Sequence, residues 1–158
     1  MKFKKILVPF DGSDHAENAL QTAYDMLRDS EEAKLYVVTV IMAPSITSSG
    51  SSSLMTANTP VALMDMDDYA AVINQAVNDE RAKIAEKMAP AIEEFGERLI
   101  PDAVANLYTV DGINEYVEEK GIDLIIMGRR GLGALRGMLG SVSYGILRSS
   151  EVPVMTVK

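Results

Sequence analysis

The chain has 158 residues, 15 basic and 23 acidic, for a formal net charge of −8; 47% of it is apolar and 24% charged. That balance is globular and excludes a general nucleic-acid binder or a polybasic membrane-surface protein, both of which need a basic face. The lack of cysteine excludes disulfides, thiolate metal sites and cysteine nucleophiles, and a lone histidine, His15, excludes the usual zinc ligand sets.

The length fits one domain over residues 1–158. Residues 4–10 read as a buried strand, a short apolar run that stops at the turn residues Asp11-Gly12-Ser13. Its core, Ile6-Leu7-Val8, is too short for a signal peptide. No stretch approaches the roughly 20 apolar residues of a membrane helix, so a cytoplasmic protein is expected. Residues 14–28 predict a helix: Ala16, Ala19, Leu20, Ala23 and Leu27 recur at helical spacing, and Asp14 with Glu17 reads as a capping box. LYVVTVI at 35–41 is a second strand, rich in β-branched residues. SITSSGSSS at 45–53 belongs to a flexible Ser-rich insertion at about 45–60.

A long helix is predicted over 67–95, with Tyr69, Val72, Ile73, Ala76, Val77, Ile84, Met88, Ile92 and Phe95 on its apolar face. Pro90 should kink it or begin a separate last turn, and Gly96 should stop it. Residues 104–110 read as a third strand, 113–120 as a short helix, 124–127 as a fourth strand, 141–149 as a helix and 152–157 as a final strand. Strands alternating with helices imply an α/β fold: one open five-stranded, mostly parallel sheet with helices on both faces.

In such a sheet, ligands bind beyond the carboxyl ends of the strands, where strand order reverses. Pro9-Phe10-Asp11-Gly12-Ser13 follows the first strand and Met127-Gly128-Arg129-Arg130-Gly131 the fourth, so the two meet if those strands are neighbours. Gly128, Gly131, Gly133, Gly137 and Gly140 then crowd one loop, and Gly140-Ser141-Val142-Ser143 opens a helix. Glycine permits close backbone approach or positive φ, and a helix start offers free amides and a positive dipole end. The Ser141 and Ser143 hydroxyls add donors, so the combination reads as a polyphosphate cradle. It is neither a P-loop, because Ser141 rather than Lys follows Gly140, nor the GxGxxG fingerprint, because the order is GxxGxG after the fourth strand. Local charge agrees: residues 120–158 carry +4 and the rest −12.

ILVPFDGS, LYVVTV, GIDLIIMGRRG, GSVS and VPVMTVK together resemble the universal stress proteins, in particular their ATP-binding branch, over essentially the whole chain. The resemblance implies a Rossmann-like sheet of the adenine-nucleotide alpha hydrolase kind and a homodimer. It implies that Gly128, Gly131, Gly140, Ser141 and Ser143 hold the phosphates and ribose of ATP. Pro9, Phe10 and Asp11 would line the nucleoside side. Val40 would meet adenine through its backbone, flanked by Met127 and Val142, and Mg²⁺ would be held mainly by phosphate oxygens. Two departures stand out. Eight residues separate Gly131 from Gly140 where the family pattern has nine. The helix at 113–120 is about one turn shorter than usual.

Other features have plainer readings. His15 suits a helix surface, and Asp65, Asp67 and Asp68 complement a helix start without invoking a metal. The apolar final strand, Val152 to Val157, would be a sheet edge that pairing with a second copy covers. The expected activity is ATP binding by a homodimeric regulatory protein, with slow hydrolysis at most. The alternatives are a protein-interaction module that binds no nucleotide, and a receiver domain, which fits poorly: Asp111 follows the third strand, but the paired acids near Asp11 are poor and the lysine after the fifth strand, Lys158, is the last residue.

Overall fold

A computed structural model describes residues 3–43, 55–56, 59–60, 66–132 and 139–158. Residues 45–53 of the predicted insertion, together with Asp65, Gly133, Arg136 and Gly137, lie outside the described residues. In chain order the elements are β1 (Lys5–Pro9), α1 (Asp14–Arg28), β2 (Lys34–Met42), a short antiparallel pair β3 (Met55–Thr56) and β4 (Thr59–Pro60), α2 (Met66–Lys87) and α3 (Ala89–Phe95). A 3₁₀ turn follows, then β5 (Leu99–Asn106), α4 (Thr109–Lys120), β6 (Leu124–Gly128), α5 (Ser141–Ser149) and β7 (Val154–Val157).

The main sheet has five strands in the order β5-β2-β1-β6-β7, and every neighbouring pair is parallel. The chain starts in the middle, steps outward to β2 and β5, and crosses back to β6 on the other side of β1. Strand order therefore reverses between β1 and β6, which pair through Ile6 with Leu124 and Leu7 with Ile125. Two cores sit on the two faces. Ile6, Val8, Leu35, Val37 and Ile126 pack against α1, α2 and α3, while Leu7, Val38, Ile125 and Met127 pack against α4 and α5. Burial on both faces is why β1 and β6 are nearly continuous apolar runs.

The third strand lies at Leu99–Asn106 rather than 104–110, and the next helix begins at Thr109 rather than Ile113. That helix is 12 residues long, so the missing turn inferred from sequence is present. Pro101 and Asp102 are poor strand formers and hide this strand in the sequence. They are tolerated because β5 is an edge strand, bonded only to β2. The long helix divides at Met88, and Pro90 sits in the first turn of α3, where its missing N–H is harmless. Its predicted apolar face is buried only toward the end: Ile84, Met88 and Phe95 are in the core, while Val72 is 39% exposed.

The two sheet edges differ. Asn106 O accepts from Ala43 N at 2.9 Å, so Pro101 and Ala103 direct their backbone groups away from the sheet. Pro101 has no N–H to expose. Ala103 N–H donates to Asp102 Oδ1 at 2.8 Å, and Ala103 O accepts from the Arg81 guanidinium, itself held by Asp102 at 2.8 Å. Asp102 Oδ2 also accepts from the Tyr116 hydroxyl at 2.9 Å, and burial first, then this carboxylate, pushes the tyrosine pKa well above its ordinary range. On β7, Pro153 O and Val157 O accept from Ile125 N and Arg129 N, which turns the backbone groups of Val154 and Thr156 outward. No described residue bonds them.

Candidate functional site

The carboxyl ends of β1, β2 and β6 and the first turns of α4 and α5 enclose a cavity of about 570 Å³. All the residues singled out from sequence line it: Pro9, Phe10, Asp11, Val40, Met127, Gly128, Gly131, Gly140, Ser141, Val142 and Ser143.

The wall after β1 is fixed by backbone. Phe10 N donates to Val38 O at 2.8 Å, and the Thr39 hydroxyl donates to Phe10 O at 2.7 Å. Asp11 Oδ1 accepts from Ser13 N at 3.0 Å, and Gly12 takes φ +78° to complete the turn. Ser13 then caps α1: its hydroxyl accepts from Ala16 N at 3.2 Å and its carbonyl from Glu17 N at 2.9 Å. Below the cavity, Lys87 Nζ lies 4.8 Å from the centroid of the Phe10 ring and pairs with Glu17, tying the end of α2 to this turn.

The opposite wall is built differently. Arg129 N donates to Val157 O at 2.7 Å, and Gly140 N donates to Arg129 O at 3.0 Å, which closes the base of the glycine loop. Tyr144 N donates to Gly140 O at 2.8 Å and starts α5. No side chain caps this helix and no acid lies in its first turn. The amides of Ser141, Val142 and Ser143 therefore have no intrahelical acceptor. The Ser143 hydroxyl, expected from sequence to be a donor in the cradle, is buried and donates instead to Gly128 O at 2.8 Å. It holds the loop to the helix, which leaves Ser141 as the hydroxyl facing outward at this end.

The glycines are needed for space, since none of Gly128, Gly131 and Gly140 has positive φ. A Cβ on Gly128 would lie 2.6 Å from the His15 carbonyl carbon, so this glycine serves the packing of β6 against α1. A Cβ on Gly131 would run into Asp11 Oδ2, and one on Gly140 would lie 3.2 Å from Arg130 Cα and 3.4 Å from Gly131 N. Gly131 lets the two walls of the cavity approach, and Gly140 lets the glycine loop close on the start of α5. Asp11 is the only carboxylate on the described lining and Arg130 the only cationic side chain. Among the described residues no group of three or more His, Cys, Asp or Glu could hold a metal ion.

Sequence reasoning missed Val38, Thr39, Thr109, Ile113, Arg130 and two leucines that also line the cavity. Thr109 and Ile113 escaped because the preceding strand was misplaced. Arg130 carries a signal in the sequence, its place between the first two glycines of the loop.

Residues 2–158 match the model of the universal stress protein family. The chain is 31% identical over 157 residues to universal stress protein YxiE of Bacillus subtilis, covering 99% of each. It is 28% identical over 161 residues to universal stress protein MJ0577 of Methanocaldococcus jannaschii, covering 99% of this chain and 95% of that one. The structure of MJ0577 superposes with a TM-score of 0.73, covering 100% of this chain and 97% of the other. A universal stress protein from Archaeoglobus fulgidus, solved in complex with dAMP, superposes with a TM-score of 0.56 at 20% identity over 100% of both chains. Among the described residues no helix is long and apolar enough to cross a membrane. The chain belongs to the universal stress protein family.

Proposed function

We propose that this protein binds ATP in the cavity between β1 and β6 and works as a homodimeric, cytoplasmic regulatory module, hydrolysing ATP slowly at most. One observation carries the proposal: the uncapped start of α5 opens onto the cavity beside a loop in which Gly131 comes against the Asp11 carboxylate and Gly140 packs closely on Arg130 and Gly131. Free amides at a helix N-terminus and close backbone approach are what a polyphosphate needs. The apolar half of the cavity, with Val40 and Met127, suits a nucleobase. The dAMP complex of the Archaeoglobus relative supports an adenine nucleotide here. Mg²⁺ would be held mainly by the phosphates, since the described lining offers Asp11 as its only carboxylate. The same scarcity argues against fast turnover, because among the described residues no second carboxylate lines the cavity to activate water.

The two edges support dimerisation through β7. The β5 edge is blunted by Pro101, Asp102 and Arg81, whereas Val154 and Thr156 present unpaired backbone groups that a two-fold copy would pair. Thr156→Pro removes an outward N–H that no described residue uses, and is expected to convert dimer to monomer in sedimentation. A clean dimer in that variant would refute the β7 interface.

A dimeric interaction module without nucleotide is the alternative, favoured by the eight-residue spacing between Gly131 and Gly140. Denaturing freshly purified protein and identifying any released small molecule by mass spectrometry separates the two. Released ATP supports the nucleotide site. An empty protein that also fails to take up Mg²⁺–ATP supports the alternative.

A further inference from the structure

Four hydroxyl side chains line the cavity: Thr39, Thr109, Ser141 and Ser143. Two are occupied within the protein, Thr39 on Phe10 O and Ser143 on Gly128 O. Thr109 and Ser141 have no hydrogen-bond partner among the described residues. Ser141 is the first residue of α5, at the glycine loop. Thr109 is the first residue of α4, whose start has no side-chain cap. One turn further along α4, Gly112 packs so tightly on β2 that a Cβ there would lie 2.9 Å from Val40 Cγ1. Thr109 therefore stands at the side of the cavity that Val40 lines.

That side is otherwise apolar, with Val38, Val40, Ile113 and Met127. An apolar slot with one free hydroxyl fits a flat heterocycle that carries polar atoms on one edge. A hydroxyl both donates and accepts, and it brings no charge, so it is suited to a base and gives little to a phosphate. Resting on the nucleotide reading above, we infer that Thr109 is a specificity-determining residue that hydrogen-bonds the edge of the bound nucleobase.

The test is calorimetric titration of Mg²⁺–ATP, adenosine and inorganic tripolyphosphate into the stripped full-length protein, wild type, Thr109→Val and Thr109→Ser. Valine keeps the shape and removes the hydroxyl, while serine restores it. Thr109→Val should weaken ATP and adenosine by about 5- to 10-fold and leave tripolyphosphate unchanged, the expected size for one lost hydrogen bond. Thr109→Ser should recover most of the affinity, and thermal melting should be the same for all three proteins. Unchanged ATP and adenosine affinity in Thr109→Val would overturn the assignment. So would a parallel loss for tripolyphosphate, which would place Thr109 with the phosphates. A wild-type protein that binds none of the three would instead remove the nucleotide site itself, and this role with it.

Discussion

Of the three helices that begin at the cavity, α1 and α5 follow the central strands β1 and β6, and they begin in different ways. At α1, Ser13 caps with both its hydroxyl and its carbonyl, and Asp14 and Glu17 place negative charge in the first turn. That helix start is already satisfied by its own sequence. At α5 the cap is Gly140, which has no side chain, the first turn has no acid, and the one serine that turns inward is engaged with Gly128. Neighbouring positions in one fold thus hold one closed and one open helix terminus. The open one is where an anion gains most, because the amides and the dipole are uncompensated.

The contrast breaks most completely at Gly131. Gly131→Val drives a side chain into the Asp11 carboxylate, which is exposed and can swing aside, so the fold should survive. Calorimetry should show ATP affinity reduced by about 100-fold or more, since loop and helix start no longer converge on the phosphates. Retained affinity would mean that the loop is not part of the cradle. Ser141→Glu gives α5 the acid that α1 already has. It should lower ATP affinity by roughly 10-fold while raising stability by about 0.5 kcal/mol, because the charge that repels phosphate complements the bare helix dipole. A fall in both would show that the terminus is not electrostatically open. Ser13→Ala sharpens the comparison from the other side. Loss of the α1 cap should cost about 1 kcal/mol in denaturant unfolding and change ATP affinity by less than about twofold.

Most of this arrangement was legible in the sequence, and the exceptions share a cause. Helices α1 and α5 lie at Asp14–Arg28 and Ser141–Ser149, as the sequence predicts, although Ser13 rather than Asp14 caps α1 and no side chain caps α5. Both are signalled by local chemistry. β5 was misplaced because its signal is tertiary: Pro101 and Asp102 look wrong for a strand until its outer edge is seen to need no proline N–H and to use the aspartate as a cap. That slip concealed Thr109. The loop glycines look alike in sequence, yet Gly128 serves the packing of a strand on a helix and Gly131 the approach of two loops. Only the neighbours of a missing Cβ distinguish them. The Ser143 hydroxyl departs from its expected role for the same reason, since a buried hydroxyl serves whichever carbonyl the fold brings to it.

The most direct test of the open terminus is calorimetric titration of Mg²⁺–ATP into the stripped wild-type protein beside Gly131→Val. Saturable binding in the micromolar range for the wild type, absent from a variant that melts like the wild type, is the predicted result. Equal affinity in the two proteins, or no binding by the wild type, would contradict it.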